Sequence, residues 1–162
     1  MVSSGGSQPR SAEHRLQELG IKLTPAPTPL GAYVESVQTG NLLYLSGMLP
    51  IAGHEPKLVG RLGKEFDIEQ GREAARVAAL NVLSTAKEHL GSLDKVTKVV
   101  KLAVYLATEG DFVAHPKVAD AASELLRDVF GEDKLPVRIV LGVASLPLGL
   151  PVEVEVILEV EA

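Results

Sequence analysis

Residues 135–160 read "LPVRIVLGVASLPLGLPVEVEVILEV", and the two halves of this stretch carry different patterns. In "VEVEVILEV" (152–160), Val152, Val154, Val156, Leu158 and Val160 share one parity, while Glu153, Glu155 and Glu159 share the other. Strict alternation predicts a strand with one buried side and one solvated side. In "VRIVLGVA" (137–144) both parities are apolar apart from Arg138. Such a strand needs cover on both of its faces, and the rest of the chain has to supply it.

Working outward, "DIEQGREAARVAALNVLSTAKEHLG" (67–91) is the clearest helix. Asp67 with Gln70 forms a capping box, Gly91 stops the helix, and Ala75, Ala78, Ala79, Val82, Leu83 and Ala86 recur on one face. "HPKVADAASELLRDVFG" (115–131) is a second helix, with Pro116 in its first turn, Gly131 at its end and a core stripe of Val118, Ala122, Leu125, Leu126 and Val129. Between the two, "KVTKVVKLAVYLA" (95–107) switches to period two and reads as a strand, with Lys98 and Lys101 expected on opposite faces. Nearer the start, "YVESVQ" (33–38) and "LLYLSG" (42–47) are joined by "TGN", which predicts a hairpin. "SAEHRLQELG" (11–20) reads as a short helix, and a Pro-rich connector follows it.

The resulting order is ββαβαββ, an α+β domain in which a single sheet carries two helices on one face. Two helices cover one side only. The apolar second face of "VRIVLGVA" therefore predicts a partner surface, most economically a second copy of the chain.

The 162 residues fit one domain over 11–162, after a Ser/Gly-rich tail at 1–10 that is expected to be disordered. No apolar run reaches the ~20 residues of a membrane span, and the start has no signal-peptide core. The chain is expected in the cytoplasm. It contains no Cys, which removes disulfides and thiolate metal sites. A net charge of -5 weighs against a broad nucleic-acid surface. Residues 50–66 form a long aperiodic loop, a length often associated with function.

Arg138 is the residue that asks for an explanation. Its next charged neighbour in sequence is Glu153, and a permanent cation is rarely buried unless paired. It needs an acidic neighbour, a backbone partner, an anionic ligand or open water. If the last two strands pair through the turn at "SLPLGLP", Arg138 and Glu153 project at opposite ends of a sheet edge. A structural ion pair is the commoner reading for Arg138, and a solvated face the simpler one for Glu153. His14, His54, His89 and His115 lack ligand spacing, so no metal site is expected. Ser46 beside Gly47 lacks the flanking pattern of a nucleophile and reads as a strand-end turn. Tyr33 either closes a pocket or fills the core.

Three stretches, "PLGAYVESVQTGNLLYLSGMLP", "LDKVTKVVKLAVYLA" and "RIVLGVASLPLGLPVEVEVILEV", resemble the Rid proteins, also called the YjgF/YER057c/UK114 or endoribonuclease L-PSP family. The resemblance spans roughly residues 15–160 and rests most firmly on the spacing of Arg138, Leu146-Pro147 and Val152-Glu153. The long first helix and "HPKVADAASELL" are most similar to the longer subgroup. The resemblance implies a chorismate-mutase-like fold, a homotrimer and clefts between subunits. It also implies cofactor-free deamination of 2-imino acids or their enamine tautomers to 2-oxo acids and ammonia.

In that scheme Arg138 grips a carboxylate, Glu153 orients the attacking water, and Tyr33 shapes the pocket. Ser46, Gly47 and Asp120 complete the substrate-binding set. The implied partner is a small carboxylate-bearing ligand, with no membrane or nucleic acid. Two alternatives stand beside it: a trimer that keeps the Arg site without turnover, and an RNA-cleaving translation inhibitor, which the acidic charge argues against. Three positions depart from the family pattern. Met48 and Asp120 are expected to alter the pocket, and Ile139, of opposite parity to Arg138, to repack the core.

Overall fold

A computed structural model describes residues 9–52 and 58–162. Its central element is the strand β5, Val152–Val160, in which Val152, Val154, Val156, Leu158 and Val160 are all at most 2% exposed. Around it lie β1 (Ser36–Thr39), β2 (Leu42–Leu45), β3 (Val96–Ala107) and β4 (Val137–Val143), in the order β1-β2-β5-β3-β4. All neighbours are antiparallel except β3 and β4, which run parallel.

The helices α2 (Ile68–Leu90) and α3 (His115–Phe130) pack on the valine side of β5, and the short α1 (Ala12–Glu18) leans on α3. The chain is thus an α+β fold of one open sheet with its helices on one side. α2 starts at the expected capping box, with both reciprocal bonds between Asp67 and Gln70 formed, and ends at Gly91 with φ 81°. Its small face of Ala75, Ala78, Ala79 and Ala86 is fully buried, as is the Val118, Ala122 and Val129 stripe of α3.

The topology corrects the expected adjacency of the last two strands. A helix joins β3 to β4, and such a crossover makes its two strands parallel neighbours. β5 then enters between β2 and β3. Arg138 pairs opposite Leu102 of β3, and Glu153 opposite Tyr105. β3 therefore separates them, Arg138 on the edge strand and Glu153 on an inner one.

Lys98 and Lys101 also differ from expectation. Register shifts at Val96/Lys98 and Val99/Lys101 insert extra residues into β3, so that Lys98 faces Glu159 and Lys101 faces Ile157. Residues directly opposite share a face, and both lysines therefore emerge on the side away from the helices. Tyr33 lies before β1, whose first residue is Ser36. The expected tail falls largely at residues 1–8, outside the described residues; Arg10 is paired with Glu18 at 3.1 Å.

No helix of the described residues is long and apolar enough to cross a membrane. Among the described residues no helix covers the other side of the sheet, and on β4 that side presents Val137, Ile139 and Leu141, from 44% to 72% exposed. Ile139 therefore lies outside the core of the chain, contrary to the repacking expected of it.

Candidate functional site

The bare side of the sheet ends in a cleft of about 450 Å³ lined by Leu30, Tyr33, Ser46, Gly47, Leu49, Pro147 and Glu153. Four segments build it. Glu153 is the second residue of β5, and its parity turns it away from the valine core. Gly47 follows β2 and lies against Glu153 so closely that a Cβ there would collide with the carboxylate. Ser46 donates from Oγ to the carbonyl of Val34 at 2.6 Å, which folds the segment before β1 back over the end of β2. Tyr33 is held by its hydroxyl, which accepts from the Leu30 amide at 3.0 Å. Its ring remains about half exposed in the cleft wall, so it is no core residue.

Pro147 arrives on a tight turn in which Leu148 takes φ 60° and Gly149 φ 69°. A leucine in the left-handed region costs about 1 kcal/mol or more. The strain is localised beside the Leu146-Pro147 pair singled out in the sequence.

Electrostatically the cleft is acidic. Among the described residues its lining includes a carboxylate and no Lys, Arg or His. Burial, with the nearby Glu155 carboxylate as a smaller contribution, holds the Glu153 carboxyl above the usual carboxylate range. Glu35, on the adjoining wall with Tyr33, Gly47 and Leu49, is shifted the same way by burial and by Glu88.

The raised proton affinity of Glu153 has a consequence for stability. Between the ordinary carboxylate pKa and the raised one, the folded state binds more protons than the unfolded chain, so this group's contribution is full at low pH and is lost as pH rises through that window. Glu153→Gln removes the dependence. Its melting temperature relative to wild type is expected to climb as pH rises from the ordinary carboxylate pKa to the raised one and to level off above it, which parallel thermal melts would check.

Arg138 is elsewhere. It shares the helix-facing side of the sheet with Leu102 and Val140, and its Nη1 donates to Asp120 Oδ1 at 2.7 Å and to Ser123 Oγ at 3.0 Å on α3. The intramolecular ion pair, the commoner of the sequence readings, is present. Arg138 and Glu153 are thus two strands and three residues apart, about 10 Å in each direction, with side chains on opposite faces. One chain brings Tyr33, Ser46, Gly47 and Glu153 together and leaves Arg138 and Asp120 outside that group.

Met48 does not enter the cleft with its side chain. It is 1% exposed and packs in the core, where Thr85 Oγ1 donates to its sulfur at 3.9 Å. His89 bridges Ser36 and Gln38 in the last turn of α2, and His115 opens α3 beside Phe112. His54 lies outside the described residues.

The sequence reading missed Ser123, Glu35 and Asn81. Ser123 follows Asp120 by three positions on one helix, so the i, i+3 rule placed both over the same strand residue. Asn81, 5% exposed in the middle of α2, donates both amide hydrogens, to the carbonyls of Leu49 and Ile51 at 2.8 and 2.9 Å. It fixes the cleft wall from behind. A polar residue in an otherwise small apolar stripe was its only signal.

Comparison with known proteins gives a consistent result. The family described as Endoribonuclease L-PSP matches residues 23–160. Protein TCP17 of Trypanosoma cruzi is 41% identical over 145 residues, covering 89% of this chain and 91% of that protein. The 2-iminobutanoate/2-iminopropanoate deaminase of Dermatophagoides farinae is 31% identical over 137 residues, covering 84% and 91%. Among solved structures, Atu1372 of Agrobacterium tumefaciens, a protein of unknown function, superposes with a TM-score of 0.85 at 36% identity, covering 93% of this chain and 92% of its own.

Proposed function

The chain belongs to the endoribonuclease L-PSP family, and from that premise we propose that it hydrolyses small 2-imino acids or their enamine tautomers to 2-oxo acids and ammonia, as a homotrimer without a cofactor. The observation that carries this reading is Glu153, a half-buried carboxylate of raised proton affinity in a cleft sized for a small molecule. A carboxyl of raised proton affinity is a stronger proton acceptor than an ordinary exposed one, which is what imine hydration needs.

In the step, water adds to the C=N carbon as Glu153 takes one of its protons and passes it to the imine nitrogen, giving a carbinolamine. Glu153 then relays the carbinolamine hydroxyl proton to the amine nitrogen, the C–N bond breaks as the C=O bond forms, and ammonia leaves with the 2-oxo acid. Tyr33 and Pro147 wall the substrate, and Ser46 and Gly47 form the backbone edge against which Glu153 is held.

Among the described residues, the cleft of one chain has no countercharge for the substrate carboxylate. The exposed Val137, Ile139 and Leu141 beside it favour a second copy seated on β4, whose Arg138 completes the site. A guanidinium then clamps the carboxylate and fixes the imine carbon for water. The deaminase name of the mite relative agrees with this chemistry.

Iminopyruvate generated from serine by a pyridoxal-phosphate dehydratase, with semicarbazide trapping of residual imine, tests the activity. Faster imine loss with the protein is expected; no acceleration with any short-chain imino acid overturns it. Gly47→Ala places a methyl group where the Glu153 carboxylate lies, and is expected to lower kcat tenfold to a hundredfold, the usual cost of ~1 Å of misplacement, with little change in fold.

A second reading is favoured by the Asp120–Arg138 pair, which already engages the clamp: a trimer that binds small carboxylates without turning them over. Carboxylate bound in crystals of a protein inactive on every imine would support it. RNA cleavage has no such observation behind it: among the described residues the cleft lining holds no His, Lys or Arg.

A further inference from the structure

Arg138, Val140 and Gly142 share one side of β4, the edge strand of the sheet, and α3 passes over that side. The helix meets Arg138 through Asp120 and Ser123, which engage Nη1 and leave the other edge of the guanidinium for a ligand. Its first residue, His115, lies on Gly142: a Cβ at position 142 would stand 2.7 Å from His115 Nε2 and 3.2 Å from Thr108 Oγ1. A side chain there would push the ring away. An imidazole and a hydroxyl thus meet at one point of the strand, four residues and about 13 Å along from Arg138. Among the described residues neither side chain makes a hydrogen bond, and the ring is held edge-on against Phe112 with centroids 5.3 Å apart. Both residues are partly exposed, so a ligand can reach them.

We infer that His115 and Thr108 read the far end of the substrate's side chain, and that the preferred substrates are 2-imino acids ending in a neutral amide. The inference rests on the placement of Arg138 in the ligand site proposed above and adds a second anchor to it. The substrate carboxylate stays on the guanidinium. An unbranched five-carbon acid with a terminal amide places its end carbons about 5 Å apart, and a hydrogen bond at each end extends that reach to about 12–13 Å. This matches the spacing of the two anchor positions on β4, whereas shorter 2-imino acids are held by Arg138 alone. An amide suits the pair because its carbonyl accepts and its NH2 donates, and an imidazole and a hydroxyl supply both complements. An acidic end is disfavoured: the turn from Thr108 to His115 carries Glu109 and Asp111 and no Lys or Arg. An apolar end leaves both polar groups unpaired, the loss by which such a site rejects an isostere.

Two inert, near-isosteric carboxylates test this without turnover: 4-carbamoylbutanoate, which ends in an amide, and 5-methylhexanoate, which ends in an isopropyl group. Each is titrated calorimetrically into the assembled wild-type protein, His115→Phe, Thr108→Val and Arg138→Ala. Phenylalanine keeps a ring against Phe112 and removes only the nitrogens; valine keeps the shape of threonine and removes only the hydroxyl. Wild type is expected to bind the amide about tenfold more tightly than its isostere. In His115→Phe that preference is expected to vanish or reverse, in Thr108→Val to shrink severalfold, and in Arg138→Ala both probes are expected to weaken together. A wild-type protein that binds the two probes equally, or prefers 5-methylhexanoate, overturns the role of His115 and Thr108 while leaving the Arg138 site standing. An amide preference that survives both His115→Phe and Thr108→Val overturns it as well. Binding of neither probe to wild type, or binding that Arg138→Ala leaves intact, refutes the Arg138 site itself and this inference with it.

Discussion

Replacing Arg138 by lysine is expected to lower kcat/KM for imino substrates tenfold to a thousandfold, about 1.4 to 4 kcal/mol of lost transition-state stabilisation, while the melting temperature moves by a few degrees at most. The asymmetry follows from the ion pair. The side chains of Arg138 and Asp120 are 26% and 48% exposed, and exposed pairs contribute about 0 to 1 kcal/mol to stability. Lysine keeps that contribution because its ammonium can still meet Asp120. It cannot do both jobs, however. The guanidinium spends Nη1 on Asp120 and Ser123 and retains a second edge, whereas an ammonium is one point charge that Asp120 captures. If Arg138 serves only to tie α3 to β4, the order reverses, and melting falls before binding does. Thermal melts, oligomeric state and kcat/KM measured on one preparation separate the two outcomes.

The strand pattern carried most of the fold because burial here is decided by parity alone. Five apolar residues at every second position of β5 are the five that sit under the helices, and the alternating glutamates emerge on the bare side. The capping box and Gly91 fixed the long helix within a residue, since both are local backbone chemistry.

What parity could not supply was strand order. Nothing in "SLPLGLP" says that β5 crosses over β3 to pair with β2, because adjacency is settled by where the helices lead the chain. The same blindness affected the site. Tyr33, Ser46, Gly47 and Glu153 do converge, yet they do so through the fold of a segment before β1 that has no periodicity. Lys101 was misplaced because a bulge adds a residue without marking the sequence. Met48 shows the reverse case: beside two cleft residues in sequence, it is turned into the core by its bridge to Val154. The placement of Arg138 on the opposite face from Glu153 was not legible at all, since both residues satisfy the same linear motif.

That placement yields the most discriminating expectation, recovery of activity from two inactive variants. Arg138→Ala removes the clamp and Glu153→Gln removes the proton acceptor, and each alone is expected to retain about a hundredth of wild-type activity or less. If every active site takes Glu153 from one copy and Arg138 from its neighbour, a mixed assembly contains sites in which both residues are intact. Random mixing gives each intact half with probability one-half, so co-expressed variants bearing different tags should recover roughly a quarter of wild-type activity. A site contained within one chain predicts no recovery, because every subunit then carries one lesion. Co-expression is essential, since separately folded assemblies exchange copies only if the β4 surface dissociates. Recovery after co-expression but not after mixing purified variants would therefore place Val137, Ile139 and Leu141 inside a stable subunit contact, which their exposure on the isolated chain leads one to expect.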